Sequence, residues 1–322
     1  MNLFLKSNTA VFGSVSAIIA VFCFSTNDVA IKFISNDYAL HLVILIRSLV
    51  GLTVLFLFIV PFSGGLPTLH TNRLGLHLLR GFCVVFANIT FFLGLAALPL
   101  AEGVAIFFIS PLLITVFSVL FLKEFVGPRR WLAVIVGLIG VIVVLRPGSA
   151  TFQTASLLPL LAAFGYATLH MLTRYIGKTE SAASMSFYIQ ITFLIVCLMF
   201  GVTVGDGKFS GGSDPSLEFL FRAWSWPSSN HYLILILIGA SSAFGGFFIS
   251  QAYRISEAAV VAPFEYIALP IAIFWGVIVF GDWPDKTTFV GIALILGSGL
   301  YIIWRETSLK DTETSGTPRY RR

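Results

Sequence analysis

A chain of 322 residues that is 57% hydrophobic and only 11% charged, with a mean hydropathy of +0.94, carries too little polar surface for a soluble domain of this length. The composition therefore predicts an all-α membrane protein. Its net charge of +5 comes from basic residues that lie mostly between apolar runs. That placement indicates membrane topology and contact with anionic lipid, and it argues against nucleic-acid binding.

Apolar runs of about 20 residues, the length that crosses the hydrocarbon core of a bilayer, recur along the whole chain. Each run is separated from the next by a short polar segment. They predict ten membrane-spanning helices, near 11–33, 40–62, 74–97, 102–122, 131–146, 155–176, 184–205, 231–253, 258–281 and 287–304.

The distribution of Lys and Arg predicts the orientation of these helices, because cytoplasmic loops carry the excess of basic residues. Most of them lie in segments on the same side of the membrane as the N-terminus. We therefore expect 1–10 to be a cytoplasmic N-terminus and 307–322 to be a cytoplasmic, disordered tail. The opposite ends of the helices carry only Lys32, Arg146, Lys208, Arg222 and Lys286.

The chain reads as two repeats of five helices, 11–148 and 149–306. Asp28 in the first helix of one repeat aligns with His170 in the other, and Lys32 aligns with Arg174. Further pairs are Arg47 with Gln190, Gly81 with Gly239 and Glu124 with Asp282. Because five is odd, the second repeat is inverted in the membrane, an arrangement typical of carriers that alternate access to a central site.

Several of the repeated motifs resemble the EamA repeat of the drug/metabolite transporter superfamily. In the first half they are Gly94 to Pro99, Pro111, Phe121-Leu122-Lys123-Glu124 and Gly137 to Val141; in the second they are Ser256-Glu257-Ala258-Ala259, Phe280-Gly281-Asp282, Gly291 and Gly297. The resemblance implies a carrier of metabolites in the bacterial inner membrane that hydrolyses no ATP. It also implies a central cavity bounded mainly by helices 1, 3, 4, 6, 8 and 9.

Shorter stretches are similar to the branch of that superfamily that holds riboflavin carriers and S-adenosylmethionine uptake carriers. They are 25–29 with Lys32, 79–81, Arg130-Trp131, 262–266 and 283–286. This resemblance implies riboflavin uptake first and S-adenosylmethionine uptake or exchange as the alternative. An amino-acid or drug exporter is a third possibility.

Glu265 is the foremost candidate for the site. An ionisable group at the centre of a membrane helix costs about 2.5–3.5 kcal/mol, so it usually faces the protein interior and pairs with or binds something. Pro263 and Pro270 on either side free backbone carbonyls nearby. Glu265 could bind a polar edge of a ligand or accept a coupling proton, or it could form a salt bridge or lie near the cytoplasmic mouth.

Two other polar groups occupy the aligned first helices of the repeats. Asp28 and Lys32 are one turn apart and can form a static pair, or Asp28 can serve in gating or substrate binding. His170 lies in a polar stripe with Tyr166 and Arg174, and it either lines the cavity or bonds to a backbone carbonyl. If the substrate is S-adenosylmethionine, the sulfonium charge gives Asp28 or Glu265 a direct electrostatic role.

The remaining candidates are an arginine and a set of neutral groups. Arg80 is either an anion or substrate contact or a residue of the cytoplasmic side, and Arg47 is expected to be structural and peripheral to the cavity. Neutral groups orient a ligand at lower cost than charges; the candidates are Asn88, Gln251, Tyr166, Tyr253 and Tyr266.

Aromatic residues make up 15% of the chain, and flat apolar walls suit a planar heteroaromatic ligand. Phenylalanine in lipid-facing positions explains the same composition. No metal or cofactor site and no catalytic residue are predicted, because metal-binding spacings, a phosphate-binding loop and a nucleophile constellation are all lacking. An intramembrane enzyme or a non-transporting scaffold is therefore disfavoured, proton coupling is possible, and the oligomeric state is open.

Overall fold

The computed structural model describes residues 2–123, 126–149, 152–256 and 258–314, and every regular element in those ranges is helical. Glu124, Glu257 and 315–322 lie outside the described residues. We number the apolar helices in chain order: α1 (Asn2–Phe33), α2 (Leu40–Phe62), α3 (Leu74–Ala97), α4 (Leu100–Leu122), α5 (Pro128–Leu145), α6 (Leu157–Ile176), α7 (Ala182–Val204), α8 (Tyr232–Ile255), α9 (258–280) and α10 (Lys286–Thr314).

Seven of these helices within the described ranges, all but α5, α9 and α10, are long and apolar enough to cross a membrane. The apolar parts of the other three are shorter: Trp131–Leu145, Phe264–Phe280 and Lys286–Tyr301. The multi-pass architecture predicted from the sequence is therefore confirmed, while crossing by α5, α9 and α10 stays a prediction. Large apolar side chains cover the outside of the bundle, with Val202 86% exposed and Phe82 67% exposed, as expected for a surface that meets lipid.

One expectation about the chain end is wrong. α10 continues to Thr314, so the first part of the predicted disordered tail, 307–314, is helical. These residues follow the apolar part of α10 without an intervening glycine or proline, so nothing in the sequence forces the helix to end earlier.

Three of the helices are irregular. α4 is interrupted between Phe107 and Ser110, just before Pro111, which lacks a backbone donor. α2 contains a π-helical turn, Leu55–Ile59. α9 changes type along its length, from a 3-10 segment at Ala262–Ile267 through Ala268–Trp275 to a π turn at Gly276–Phe280. Such changes leave backbone carbonyls without regular α-helical partners, and one of them surrounds Glu265.

The main helix pairs of the bundle are related by exchanging each helix for the one five places along the chain. α1 packs against α8, and the corresponding helices of the other half, α6 and α3, pack against each other. The pairs α2–α7, α4–α9 and α5–α10 each join two corresponding helices, one from each half. The α5–α10 contact is reciprocal: a Cβ added to Gly140 would lie 2.8 Å from the Gly291 carbonyl oxygen, and one added to Gly291 would lie 2.8 Å from that of Gly140. The absence of a side chain at Gly140 and Gly291 therefore lets α5 and α10 approach closely.

Basic residues at the ends of α1 and α6 bind the carbonyl ends of the helices beside them. Lys32 Nζ donates to the carbonyl oxygens of Leu95 at 2.8 Å and Leu98 at 2.5 Å, at the end of α3. Arg174 Nη1 donates to the carbonyl oxygen of Arg254 at 3.4 Å, at the end of α8. Lys32 and Arg174 are the aligned positions of the two repeats, so each end of the bundle carries a cationic cap on a helix C-terminus.

Candidate functional site

A cavity lies at the centre of the bundle and is lined by eight helices, α1–α4 and α6–α9. The six helices that the resemblance implied are all among them. α2 and α7 add Arg47, Ser186, Ile189, Gln190 and Phe193 to the lining. Because each half of the chain supplies four helices, a ligand in the cavity touches both halves.

Glu265 is the centre of a hydrogen-bonded cluster in this cavity. Its Oε2 accepts a hydrogen bond from the Tyr166 hydroxyl at 2.8 Å, and its Oε1 accepts a short one from the Tyr253 hydroxyl. The carboxyl group is buried, at 5% exposure. Its partners are hydroxyls of α6 and α8, and no basic residue in the described ranges forms an ion pair with it. The expected alternative of a salt bridge is therefore wrong for this conformation.

His170 completes the same cluster. Its ring stacks on Tyr253 with the centroids 4.0 Å apart and meets Tyr166 edge-on at 4.2 Å. The residue is 1% exposed, it lines the cavity, and neither ring nitrogen has a hydrogen-bond partner within the described chain. Of the two roles predicted for His170, the structure supports lining the cavity over bonding to a backbone carbonyl.

Arg47 forms a second polar cluster, on the α2, α3 and α7 side of the cavity. Its Nη1 donates to Asn88 Oδ1 at 3.0 Å, and its guanidinium lies 4.5 Å from the centroid of the Phe193 ring. Only 2% of the residue is exposed. The expectation that Arg47 is peripheral is wrong: its position about two turns into α2 faces it toward the interior.

Asp28 lines the cavity between the two clusters, but it does not pair with Lys32. Asn27 Nδ2 donates to Asp28 Oδ1 at 3.3 Å, and Asp28 is within electrostatic range of Arg47 and Tyr166. The Lys32 ammonium turns instead to the end of α3. Unpaired carbonyls at a helix end offer a cation several acceptors at once, which explains why the predicted static pair is replaced.

Arg80 also lines the cavity, but its guanidinium is bonded within the protein. Nε donates to Thr173 Oγ1 at 3.0 Å and Nη1 donates to the carbonyl oxygen of Met185 at 3.4 Å. The residue is 1% exposed. These contacts tie α3 to α6 and α7, so Arg80 organises the wall of the cavity beside His170.

Three predicted residues, Gln251, Tyr253 and Tyr266, are not among the lining residues, although Tyr253 binds Glu265. Tyr266 follows Glu265 directly, and one step along a 3-10 helix turns the side chain by about 120°. Its ring therefore packs against Phe108, with the centroids 5.5 Å apart, and against Gly299 of α10. Gln251 Oε1 accepts a hydrogen bond from Arg254 Nε at 3.2 Å, near the end of α8.

Aromatic rings form one apolar wall. Phe91 and Phe107 lie 4.8 Å apart between centroids, and Phe107 lies 5.1 Å from Tyr166. Phe92 and Phe108 also line the cavity. The wall therefore leads from α3 and α4 to the cluster around Glu265.

The sequence-based predictions gave too little weight to three residues that the structure brings to the site, Tyr253, Arg47 and Gln190. Tyr253 was expected only as a neutral orienting group, although it binds the central carboxylate. Arg47 and Gln190 align between the repeats, and both line the cavity. A polar residue at the same aligned position in the second helix of each half indicates that both side chains face the interior. This signal could have placed Arg47 and Gln190 in the cavity.

Comparison with known proteins identifies the family. The EamA-like transporter family matches residues 11–146 and 153–304. The S-adenosylmethionine uptake transporter of Rickettsia conorii is 30% identical over 282 residues, 88% of this chain and 89% of that protein. The riboflavin transporters of Brucella anthropi and Vibrio cholerae are each 31% identical, over 77% and 74% of this chain and 83% and 75% of their own lengths.

The fold agrees with a solved protein structure. A crystal structure with 16% sequence identity superposes with a TM-score of 0.69, covering 92% of this chain and 98% of that one. At that identity the likeness concerns the fold alone. Two family matches that together span most of the sequence, on an all-helical bundle with a central polar cavity, establish that this chain belongs to the EamA-like transporter family of the drug/metabolite transporter superfamily.

Proposed function

We propose that this protein is a secondary transporter that moves a small metabolite across the bacterial inner membrane by alternating access, with ten helices arranged as two inverted five-helix repeats. The observation that carries the proposal is the central cavity, to which each half contributes four helices. The main helix pairs correspond between the two halves, as an inverted repeat requires. Both termini are then cytoplasmic, as the basic residues predict.

The substrate is a heteroaromatic metabolite, and riboflavin and S-adenosylmethionine are the two candidates. Relatives carrying both names align with most of the chain. The phenylalanine wall suits a flat ring system, because aromatic faces stack at centroid distances of about 4.5–7 Å. Neutral hydrogen-bonding groups on the rest of the lining, such as Asn88 and Ser242, would fix the orientation of that ring.

Glu265 couples the ligand to the movement of the helices. Its carboxylate is held by hydroxyls from α6 and α8 while it is itself carried by α9. Any change in its charge alters three helices at once, so protonation of Glu265 gives the carrier a route to proton coupling. His170, in contact with both tyrosines, is placed to sense the ligand beside it.

The test is uptake into proteoliposomes of labelled S-adenosylmethionine and of labelled riboflavin, with and without an imposed proton gradient. We expect saturable uptake of one compound by the wild type and its loss in Glu265→Gln. Glu218→Gln, the same chemical change on the short helix Pro215–Phe221 outside the cavity, is the matched control and should transport normally. A wild-type protein that moves neither compound, although folded by gel filtration, would refute the substrate assignment.

A further inference from the structure

The guanidinium of Arg47 is incompletely bonded in the cavity. Nη1 donates to Asn88 Oδ1, but Nε and Nη2 have no hydrogen-bond partner among the described residues. An unpaired buried donor costs about 1–3 kcal/mol, and more when it is charged. The other formally charged residues that line the cavity are Glu265, Arg80 and Asp28, and within the described chain none of them has a buried side-chain nitrogen or oxygen without a hydrogen-bond partner.

The two open donors lie on one edge of the guanidinium. Nε and Nη2 together form the fork that matches the two oxygens of a carboxylate. The bond from Nη1 to Asn88 and the Phe193 ring at 4.5 Å fix the plane of this fork. An edge held in this way is pre-organised for a planar, bidentate anion.

Asp28 does not bond to the Nε and Nη2 donors of Arg47 in the described chain. It is within electrostatic range of Arg47, yet the two form no ion pair at 4 Å or less in the described chain. Its carboxylate accepts a hydrogen bond from Asn27 and can still attract a second group of opposite charge. A cationic group on a ligand is favoured next to Asp28, while an anionic group is favoured at Arg47.

We propose that Arg47 binds a carboxylate of the substrate through Nε and Nη2, with Asp28 facing the cationic part of the same molecule. The substrate is then a zwitterion with an amino-acid head, carried beside the aromatic wall. This inference rests on the proposed transport function and narrows it. S-adenosylmethionine carries a carboxylate, an amine, a sulfonium and an adenine ring, whereas riboflavin has neither carboxylate nor cation.

The test uses two ligands that differ only in the carboxylate. Binding of S-adenosylmethionine and of decarboxylated S-adenosylmethionine is measured on the purified full chain, for the wild type, Arg47→Gln and Arg47→Lys. The wild type should prefer the carboxylate form by about 10–100-fold, the factor expected for a charge-assisted, bidentate pair. Arg47→Gln should bind both ligands alike, and Arg47→Lys, which keeps a point charge without the fork, should restore part of the preference.

The outcomes separate this inference from the transport function. Equal wild-type affinity for both ligands overturns the carboxylate site, whether or not the variants fold. Riboflavin uptake that Arg47→Gln leaves unchanged overturns it too, while the carrier function stands. If neither compound is transported, thermal stabilisation by amino acids is compared with that by their amides. Stabilisation by the acids alone, lost in Arg47→Gln, supports the site; stabilisation by acids and amides alike, or by neither, overturns it.

Discussion

The charged groups at the centres of the two polar clusters, Glu265 and Arg47, differ in how completely the protein satisfies them. Both oxygens of Glu265 accept tyrosine hydroxyls from neighbouring helices, whereas Arg47 keeps two donors on one edge without a partner in the described chain. A satisfied buried network holds helices in one arrangement, and an unsatisfied one favours a ligand. On the proposed function, we therefore expect Glu265 to couple the helices and Arg47 to recognise the substrate.

The largest effect should come from removing the coupling group altogether. Glu265→Ala leaves the hydroxyls of Tyr166 and Tyr253 without their acceptor, at about 1–3 kcal/mol each, so we expect loss of uptake and a lower melting temperature. Glu265→Gln keeps an acceptor oxygen, so its stability should stay closer to wild type although uptake is lost. Wild-type transport by Glu265→Ala would contradict the coupling role.

A smaller effect should follow from removing one hydroxyl at a time. Tyr253→Phe and Tyr166→Phe each delete one hydrogen bond to Glu265 and keep the ring against His170. Bonds to a charged group contribute about 1.5–3 kcal/mol, so each variant should lower the uptake rate by about 10–100-fold with little change in substrate affinity. A fall in substrate affinity without a fall in uptake rate would mean that the Glu265 cluster recognises the substrate, and would contradict its role in helix coupling.

The cationic caps should control the two ends of the bundle in opposite directions. Lys32→Met removes the donor to the end of α3, and Arg174→Met removes the donor to the end of α8. Each should make the cavity more accessible from its own end, by a factor of about 5–10, the size of a modest coupling energy. Impermeant thiol labelling of a cavity cysteine from either face measures this, and equal changes from both faces would refute separate gates.

The smallest effect concerns an ion pair outside the membrane segments. The Arg146 guanidinium bonds to the Asp285 carboxylate, and it holds the pKa of that carboxyl well below its usual range. Because the pKa of this carboxyl is lower in the folded protein, the ion pair stabilises the fold at pH values above the pKa of the unfolded chain, about 3.9. The stabilisation is lost as the pH falls through the pKa of the folded protein.

Asp285→Asn should therefore lower the melting temperature slightly at pH 7, and the difference from wild type should shrink as the pH falls below about 4. The Asp285 side chain is 55% exposed, so solvent screening keeps the effect below about 1 kcal/mol. Thermal unfolding across this pH range tests it. A difference between the two proteins that grows in acid would contradict the sign.

Membrane helices and the central carboxylate were predictable from sequence because each has a strong local signal. Twenty apolar residues can do little except cross a bilayer, and a lone carboxylate such as Glu265 in such a run needs an interior partner. The identity of that partner was less accessible. Tyr166 and Tyr253 belong to separate helices, and only packing brings them to the same carboxyl group.

Most of the wrong predictions concerned the direction in which a side chain points from its helix. Asp28 and Lys32 are correctly spaced to pair, yet the carbonyl ends of α3 compete for the ammonium. Tyr266 adjoins Glu265 in sequence but faces α10. Arg47 was expected at the periphery of the cavity because α2 was expected there. An arginine two turns into a membrane helix, however, is most favourably placed facing hydrogen-bond partners in the protein interior.

The central claim, that one cavity opens alternately to the two sides of the membrane, is tested most directly by labelling Ser186→Cys. Ser186 lines the cavity, and its hydroxyl has no partner within the described chain, so the change removes no hydrogen bond. With Cys23, Cys83 and Cys197 replaced by alanine, an impermeant maleimide should label this cysteine from either face of oriented vesicles, and bound substrate should protect it. Labelling from one face only, with or without substrate, would contradict alternating access.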